Sequence, residues 1–276
     1  MTTASHSIET SVDESLRALL DGEVGEILAV NFSEQATSGL VEILTESEES
    51  PEVRLLVDED VLKWLRDDFV LASTAAELIE AEILEIRAAT EDLENTLLVT
   101  DETVVSIIIS EGLVGALGTD DAEFVEAARE RWSSVWEGGD KFDLRTPARS
   151  RVEQSLGEEF GSEVESDFQA VLDSLGSTRD ETVLDEVGVS LLVAARHEKL
   201  LYDISKWGED TGVASKATFS RTKTRLEEQG LLETEKVPID IGRPRLRLLV
   251  GDERLREADI EELPSVVWEL LSAVPA

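Results

Sequence analysis

The chain has 276 residues, 41% of them hydrophobic, and no cysteine, so it can bury a sizeable core but forms neither a disulfide nor a thiolate site. Acidic residues outnumber basic ones 62 to 25, a net charge of −37, yet Val, Ile and Leu recur in periodic runs, which excludes a disordered acidic chain. There is no apolar run of about 18 residues, and residues 1–20 lack the basic start and apolar stretch of a secretion signal, so the expected location is cytoplasmic, away from membranes.

An ordered core inside so acidic a surface points to a salt-rich cytosol, where screening is short-ranged and self-repulsion is tolerated. Arg outnumbers Lys 18 to 7 among the 25 basic residues, in keeping with an extreme halophile as the source. A nucleic-acid mimic or acidic chaperone would instead be acidic throughout. It is not: residues 196–247 hold 11 basic and 9 acidic residues, net +2, whereas the remaining 14 basic and 53 acidic residues give −39.

In chain order, short apolar runs at 26–30, 53–57, 96–99 and 104–109 read as strands buried on both faces. Between them, Leu71, Ala75, Leu78, Ile79, Ile83 and Ile86 share one face of a long helix. Val125, Ala128, Trp132 and Val135 mark another helix, capped at Asp120 or Asp121 and ended by Gly138-Gly139. The alternation predicts an α/β domain with a mostly parallel sheet. Residues 140–147 read as a loop and 147–175 as helical, interrupted near Gly157 and Gly161. The expected boundary follows, giving domains at 1–177 (α/β, sensing and dimerisation) and 178–276 (α+β winged helix-turn-helix).

The second domain reads as three helices and a hairpin. Residues 180–198 form the first helix, with Val183, Val187, Leu191 and Ala194 inward, and residues 200–210 form the second. Thr211-Gly212-Val213-Ala214 is a short turn, and Ser215 caps a third helix, 216–229, that stops at Gly230. Helix, glycine-containing turn and capped helix make a helix-turn-helix. Strands at 231–237 and 244–250 then flank a wing whose tip, Gly242-Arg243-Pro244-Arg245, offers two arginines to a minor groove.

On the third helix, Phe219 and Leu226 anchor the inner side. The other side carries Ser215, Lys216, Ala217, Thr218, Ser220, Arg221, Thr224 and Arg225. Its N-terminal part is expected at base edges (Lys216, Ala217, Ser220, Arg221) and Arg225 at phosphate. Residues 214–232, ASKATFSRTKTRLEEQGLL, resemble recognition helices of archaeal winged-helix regulators, down to the Arg-Leu-Glu-Glu-x-Gly-Leu-Leu exit. One departure is Lys223, where those helices carry a buried Leu; it snorkels, or the helix sits rotated.

The whole chain looks like the haloarchaeal TbsP-type regulators. That resemblance implies transcriptional control of central carbon metabolism, with the sugar-sensing TrmB regulators as more distant analogues. It implies double-stranded promoter DNA as partner, a homodimer, and a small-molecule effector whose site the residues do not mark. Outside 214–247 it rests on architecture and composition.

Other chemistry is weak. His197-Glu198-Lys199 with Asp203 is one residue short of the His-x-Lys-x4-Asp motif of phospholipase-D-type phosphodiesterases, and occurs once, so His197 is expected at a helix junction. Two histidines and no cysteine argue against a transition-metal site. Carboxylates follow two strands, at Asp58-Glu59-Asp60 and Asp101-Glu102, but in a chain this acidic they read as solvated surface and caps. Gly112, Gly115 and Gly118 lack dinucleotide-fingerprint spacing, and no Walker-type loop exists. No enzyme activity, metal or cofactor is expected. The competing function is a non-catalytic interaction module, or a degenerate phosphodiesterase-like protein, whose winged helix meets another protein.

Overall fold

A computed structural model describes residues 6–9, 12–20, 25–47, 50–110, 113–176, 184–238 and 244–272. The chain divides into two compact units, residues 1–144 and 145–276. Among the described residues, no helix is long and apolar enough to cross a membrane.

The first unit runs β1 (His6–Glu9), α1 (Val12–Leu20), β2 (Glu26–Val30), α2 (Glu34–Glu46), β3 (Glu52–Val57), α3 (Glu59–Asp67), α4 (Phe69–Glu80) and β4 (Leu84–Ala88). It continues with β5 (Leu97–Val99), β6 (Val104–Ser110), β7 (Leu113–Thr119), α5 (Ala122–Gly138) and β8 (Asp140–Lys141). The strands form one sheet in the order β1-β7-β6-β5-β2-β3-β4-β8. Strands β2, β3 and β4, joined by helices, are parallel, with Ile27 opposite Val53 and Leu55 opposite Ile86. The remaining pairings are antiparallel. The domain is thus α/β as expected, with a mixed sheet whose parallel part is confined to the helix-linked strands, since only antiparallel neighbours can be joined by short turns.

Helix starts follow from short polar side chains. Ser33, Asp68 and Asp121 accept backbone N–H bonds from Ala36, Leu71 and Phe124 at 3.3, 3.0 and 3.1 Å. Strands β2 and β3 are buried on both faces. Leu28, Val30 and Leu56 pack with Trp132 and Trp136 of α5, while Ile27, Ala29, Leu55 and Val57, on the opposite face by the two-residue period, are equally buried.

Two expectations change here. The helix read through Ile83 and Ile86 ends at Glu80, and Glu82 takes a left-handed φ of 59° that turns the chain into β4. Ile83 and Ile86 keep a helical spacing by chance, whereas the burial follows a strand's two-residue period: Leu84 and Ile86 are buried while Glu85 between them is exposed. Strand β6 is not buried on both faces either. Ile107 points inward, but Ile108 is 50% exposed, as is Leu117 of β7 at 54%.

The second unit runs α6 (Arg149–Phe160), α7 (Ser162–Gly176), α8 (Glu186–Arg196), α9 (Leu201–Thr211), α10 (Lys216–Glu228), β9 (Leu232–Val237), β10 (Arg245–Val250), α11 (Glu253–Glu257), a 3-10 turn and α12 (Leu263–Ser272). The division after Leu144 differs from the expected boundary at 177/178, because α6 and α7 build the core around α8 and α9. Phe168 of α7 meets Trp207 of α9 edge-on at 6.3 Å, and the Trp207 indole N–H donates to Ser155 Oγ of α6 at 2.9 Å. The α6–α7 break falls at Gly161 (φ 99°), while Gly157 lies inside α6. Helix α8 begins at Glu186, capped by Asp185, rather than at 180; Val183 lies outside the described residues. Leu263, Val267 and Leu270 of α12 are buried, leaving Trp268 41% exposed.

Candidate nucleic-acid interface

Helices α9 and α10 approach closely because Gly208 has no side chain. A Cβ there would stand 2.2 Å from the Phe219 ring. The chain leaves α9 through Gly212, in the left-handed region at φ 86°, and Ala214 N–H donates to the Gly208 carbonyl at 3.2 Å. Ser215 is extended, and its Oγ accepts from Thr218 N–H at 3.2 Å, so it caps α10 as expected. Gly230, at φ 73°, ends the helix.

One side of α10 is core: Phe219, Thr222 and Leu226 are 0%, 6% and 1% exposed. The other exposes Ser215, Lys216, Ala217, Ser220, Arg221, Thr224 and Arg225, with Thr218 half-buried between them. Most of their polar groups are already engaged. The Lys216 ammonium binds Glu209 of α9, a hydrogen bond that raises the Lys216 pKa and lowers that of Glu209. Arg225 pairs with Asp185 at 3.0 Å. Thr218 Oγ1 lies 3.0 Å from Ser215 Oγ and accepts from Arg221 at 3.4 Å. The Thr224 hydroxyl donates to the Ser220 carbonyl at 3.0 Å.

Lys223 lies half-buried along the helix and reaches Glu227, which also accepts from Thr234 of β9 at 2.8 Å. Burial would raise the Glu227 pKa, but these two hydrogen bonds outweigh it and hold the carboxyl below its usual range. Of the two readings of Lys223, the geometry is that of a snorkelling side chain.

The hairpin pairs Leu232 with Val250 at its base and Val237 with Arg245 at its outer end. Leu248 N–H donates to the Lys199 carbonyl at 2.9 Å, tying β10 to the α8–α9 junction. Arg245 lies over the Tyr202 ring at 4.3 Å and pairs with Asp203 at 3.0 Å, which ties the outer end of the hairpin to the first turn of α9. Arg243 and Gly242 lie outside the described residues.

The sequence pattern marks no interface role for Tyr202, Glu209 or Lys236, and marks Asp203 only through the incomplete phosphodiesterase motif. Tyr202 is the chain's single tyrosine, and its exposure of 48% is the signal of a polar–aromatic anchor. Lys236 lies on the same side of β9 as Thr234, by the two-residue period, and therefore on the side that meets α10.

His197 Nε2 lies 2.8 Å from Asp167 of α7, consistent with a helix-junction histidine. Among the described residues, no group of three or more His, Cys, Asp or Glu could hold a metal ion. Asp101 pairs with Arg129 of α5 at 2.6 Å, and Asp58 precedes the first turn of α3.

Residues 4–147 match the family model described as transcriptional regulator TbsP-like, N-terminal, and residues 148–268 match its C-terminal HTH domain. The chain belongs to the TbsP-like transcriptional regulators. The junction between the two matched regions falls beside the structural division at Leu144.

No curated protein matches this TbsP-like chain. Among solved structures, TrmBL2, an archaeal chromatin protein whose structure is described as showing a novel mode of DNA binding, is 15% identical over 50% of this chain, with a TM-score of 0.37. This chain covers 54% of TrmBL2. Nuc from Salmonella typhimurium, a phospholipase D family member, is 13% identical over 51% of this chain and 99% of its own, with a TM-score of 0.38. NucT from Helicobacter pylori is 11% identical over 51% of this chain and 100% of its own, with a TM-score of 0.34. Likenesses this low carry no argument here.

Proposed function

We propose that this TbsP-like regulator binds duplex DNA sequence-specifically, with α10 in the major groove and the β9–β10 wing beside it. The observation that carries this reading is α10 itself. Its capped N-terminus presents Ala217, Ser220 and Arg221 to solvent, while Phe219 and Leu226 fix its opposite side in the core. Arg221 and Lys216 supply donors suited to guanine, Ser220 an adaptable hydroxyl, and Arg225 reaches a flanking phosphate. Arg243 and Arg245 are both assigned to the minor groove.

Two copies would present two α10 helices to half-sites about one helical turn apart. The role assigned to residues 1–144 is sensing and dimerisation, with a small-molecule effector. The genes are those of metabolism in a halophilic archaeon, and the protein is non-catalytic and cytoplasmic. The supports are the acidic surface, the family and the neutralised C-terminal segment.

The test is selection of genomic duplex fragments by the purified protein in molar KCl, with sequencing of the retained DNA. The expected outcome is enrichment of a short, partly palindromic site, and Ala in place of both Arg243 and Arg245 weakening its retention. A pool that stays unenriched, with no duplex retained, would reject the reading in favour of a protein partner.

A further inference from the structure

The cations of the candidate interface are largely occupied by the chain's own carboxylates. Lys216 is held by Glu209, Arg225 by Asp185, Arg245 by Asp203, and Arg247 by Glu235 at 3.5 Å and Glu198 at 3.9 Å. Lys223 is held by Glu227. Among the described residues, Arg221 and Lys236 are the cations of α10 and the hairpin with no carboxylate within ion-pair distance. Both are exposed.

We propose that duplex DNA is bound by ion-pair exchange: Lys236 meets phosphate and the unpaired Arg221 its base first, then Lys216 and Arg245 leave Glu209 and Asp203 for the DNA, and monovalent cations neutralise the carboxylates released. This rests on the DNA-binding reading above and names the residues that set its salt dependence. The charge accounting forces the last step. A carboxylate abandoned beside a phosphate backbone meets like charge, and a bound cation from solution is the available compensation. The exchange itself is easy, because both pairs are part-exposed, with Asp203 and Glu209 side chains 33% and 46% accessible, and exposed ion pairs hold weakly.

Ordinary DNA-binding proteins release about 0.9 counterion per phosphate neutralised, and their affinity collapses as salt rises. Here each released carboxylate takes a cation back, which offsets roughly one released ion and flattens that dependence. The arrangement therefore suits a protein that must hold DNA in concentrated salt. Asp203 and Glu209 act as built-in competitors of phosphate, weakening indiscriminate binding and leaving contacts to bases to decide the site.

The test compares the full chain with its Asp203→Asn/Glu209→Gln variant, measuring affinity for one duplex by fluorescence anisotropy over a KCl series. A second variant, Glu91→Gln/Glu94→Gln, removes the same charge from exposed positions of the first unit, and thermal unfolding checks that both variants fold. The expected result is binding at least about tenfold tighter at low salt for Asp203→Asn/Glu209→Gln, with the slope of log K against log[KCl] steeper by up to about one per carboxylate. The Glu91/Glu94 variant keeps the wild-type slope. An unchanged slope in the first variant, or the same change in both, would overturn the exchange while leaving DNA binding intact. Duplex binding by none of the three proteins would remove the DNA-binding reading itself, and the exchange with it.

Discussion

Phe219 of α10 lies so close over Gly208 of α9 that a single methyl group at Gly208 would stand 2.2 Å from its ring. The helix-turn-helix depends on this approach, since Phe219 is fully buried there. Gly208→Ala must push the ring or the helix aside, and such overpacking costs about 1–3 kcal/mol. Denaturant unfolding of Gly208→Ala reads this as an earlier midpoint with an unchanged slope. An unshifted midpoint would mean that α9 and α10 separate freely.

Ser215 links stability and recognition at one residue. Ser215→Ala loses the bond to Thr218 N–H and about 1 kcal/mol. Ser215→Asp restores the cap and suits the helix dipole, but it brings a negative charge to the face proposed for DNA. Thermal unfolding and duplex titration of the two variants should therefore diverge: Ala lowers stability, whereas Asp keeps stability and weakens binding. Binding by Ser215→Asp as tight as wild type would place DNA elsewhere.

Glu186, in the first turn of α8, gives stability a pH dependence. Burial pushes its carboxyl above the usual 4.5, and neighbouring Asp185 adds to this, with a backbone hydrogen bond opposing them. A carboxyl raised on folding contributes stability that is full below the unfolded pKa and lost as pH rises through the folded value. Glu186→Gln removes that loss. The thermal midpoint of the variant should rise relative to wild type between about pH 4 and pH 7. A difference that stays constant over this range would show that Glu186 is not held in a desolvated site.

Much of this was legible in the residues, and the failures have definable causes. Ser215, Gly212 and Gly230 announce the turn and limits of α10 because each requires a local backbone conformation that few other residues favour. The α/β character of the first unit was readable from runs such as 53–57, where strands covered on both faces become continuously apolar. Ile83 and Ile86 misled because they continue the helical spacing of Leu71 to Ile79, while the two-residue alternation of Leu84, Glu85 and Ile86 is too short to compete with it, and Glu82, whose positive φ makes the turn, is not a residue type that signals one. The unit boundary was hidden for another reason. The bond from Trp207 to Ser155 and the Phe168–Trp207 contact join residues 52 and 39 positions apart, and no local pattern reports them. Nor do local patterns reveal that Asp203 and Glu209 hold Arg245 and Lys216, which composition counts only as a near-neutral segment.

The central claim is that α10 reads bases. It is tested most directly by the affinity of Ser220→Ala and Arg221→Ala variants for the selected site and for a scrambled duplex of equal length, at one fixed salt concentration. A lost base contact costs about 1–3 kcal/mol at the specific site, about fivefold to a hundredfold in affinity, and leaves scrambled-duplex binding nearly unchanged for Ser220→Ala. Arg221→Ala should lose more on the selected site than on the scrambled one. Equal losses on both duplexes, or none, would contradict the account and reduce α10 to a surface that meets phosphate alone or no DNA at all.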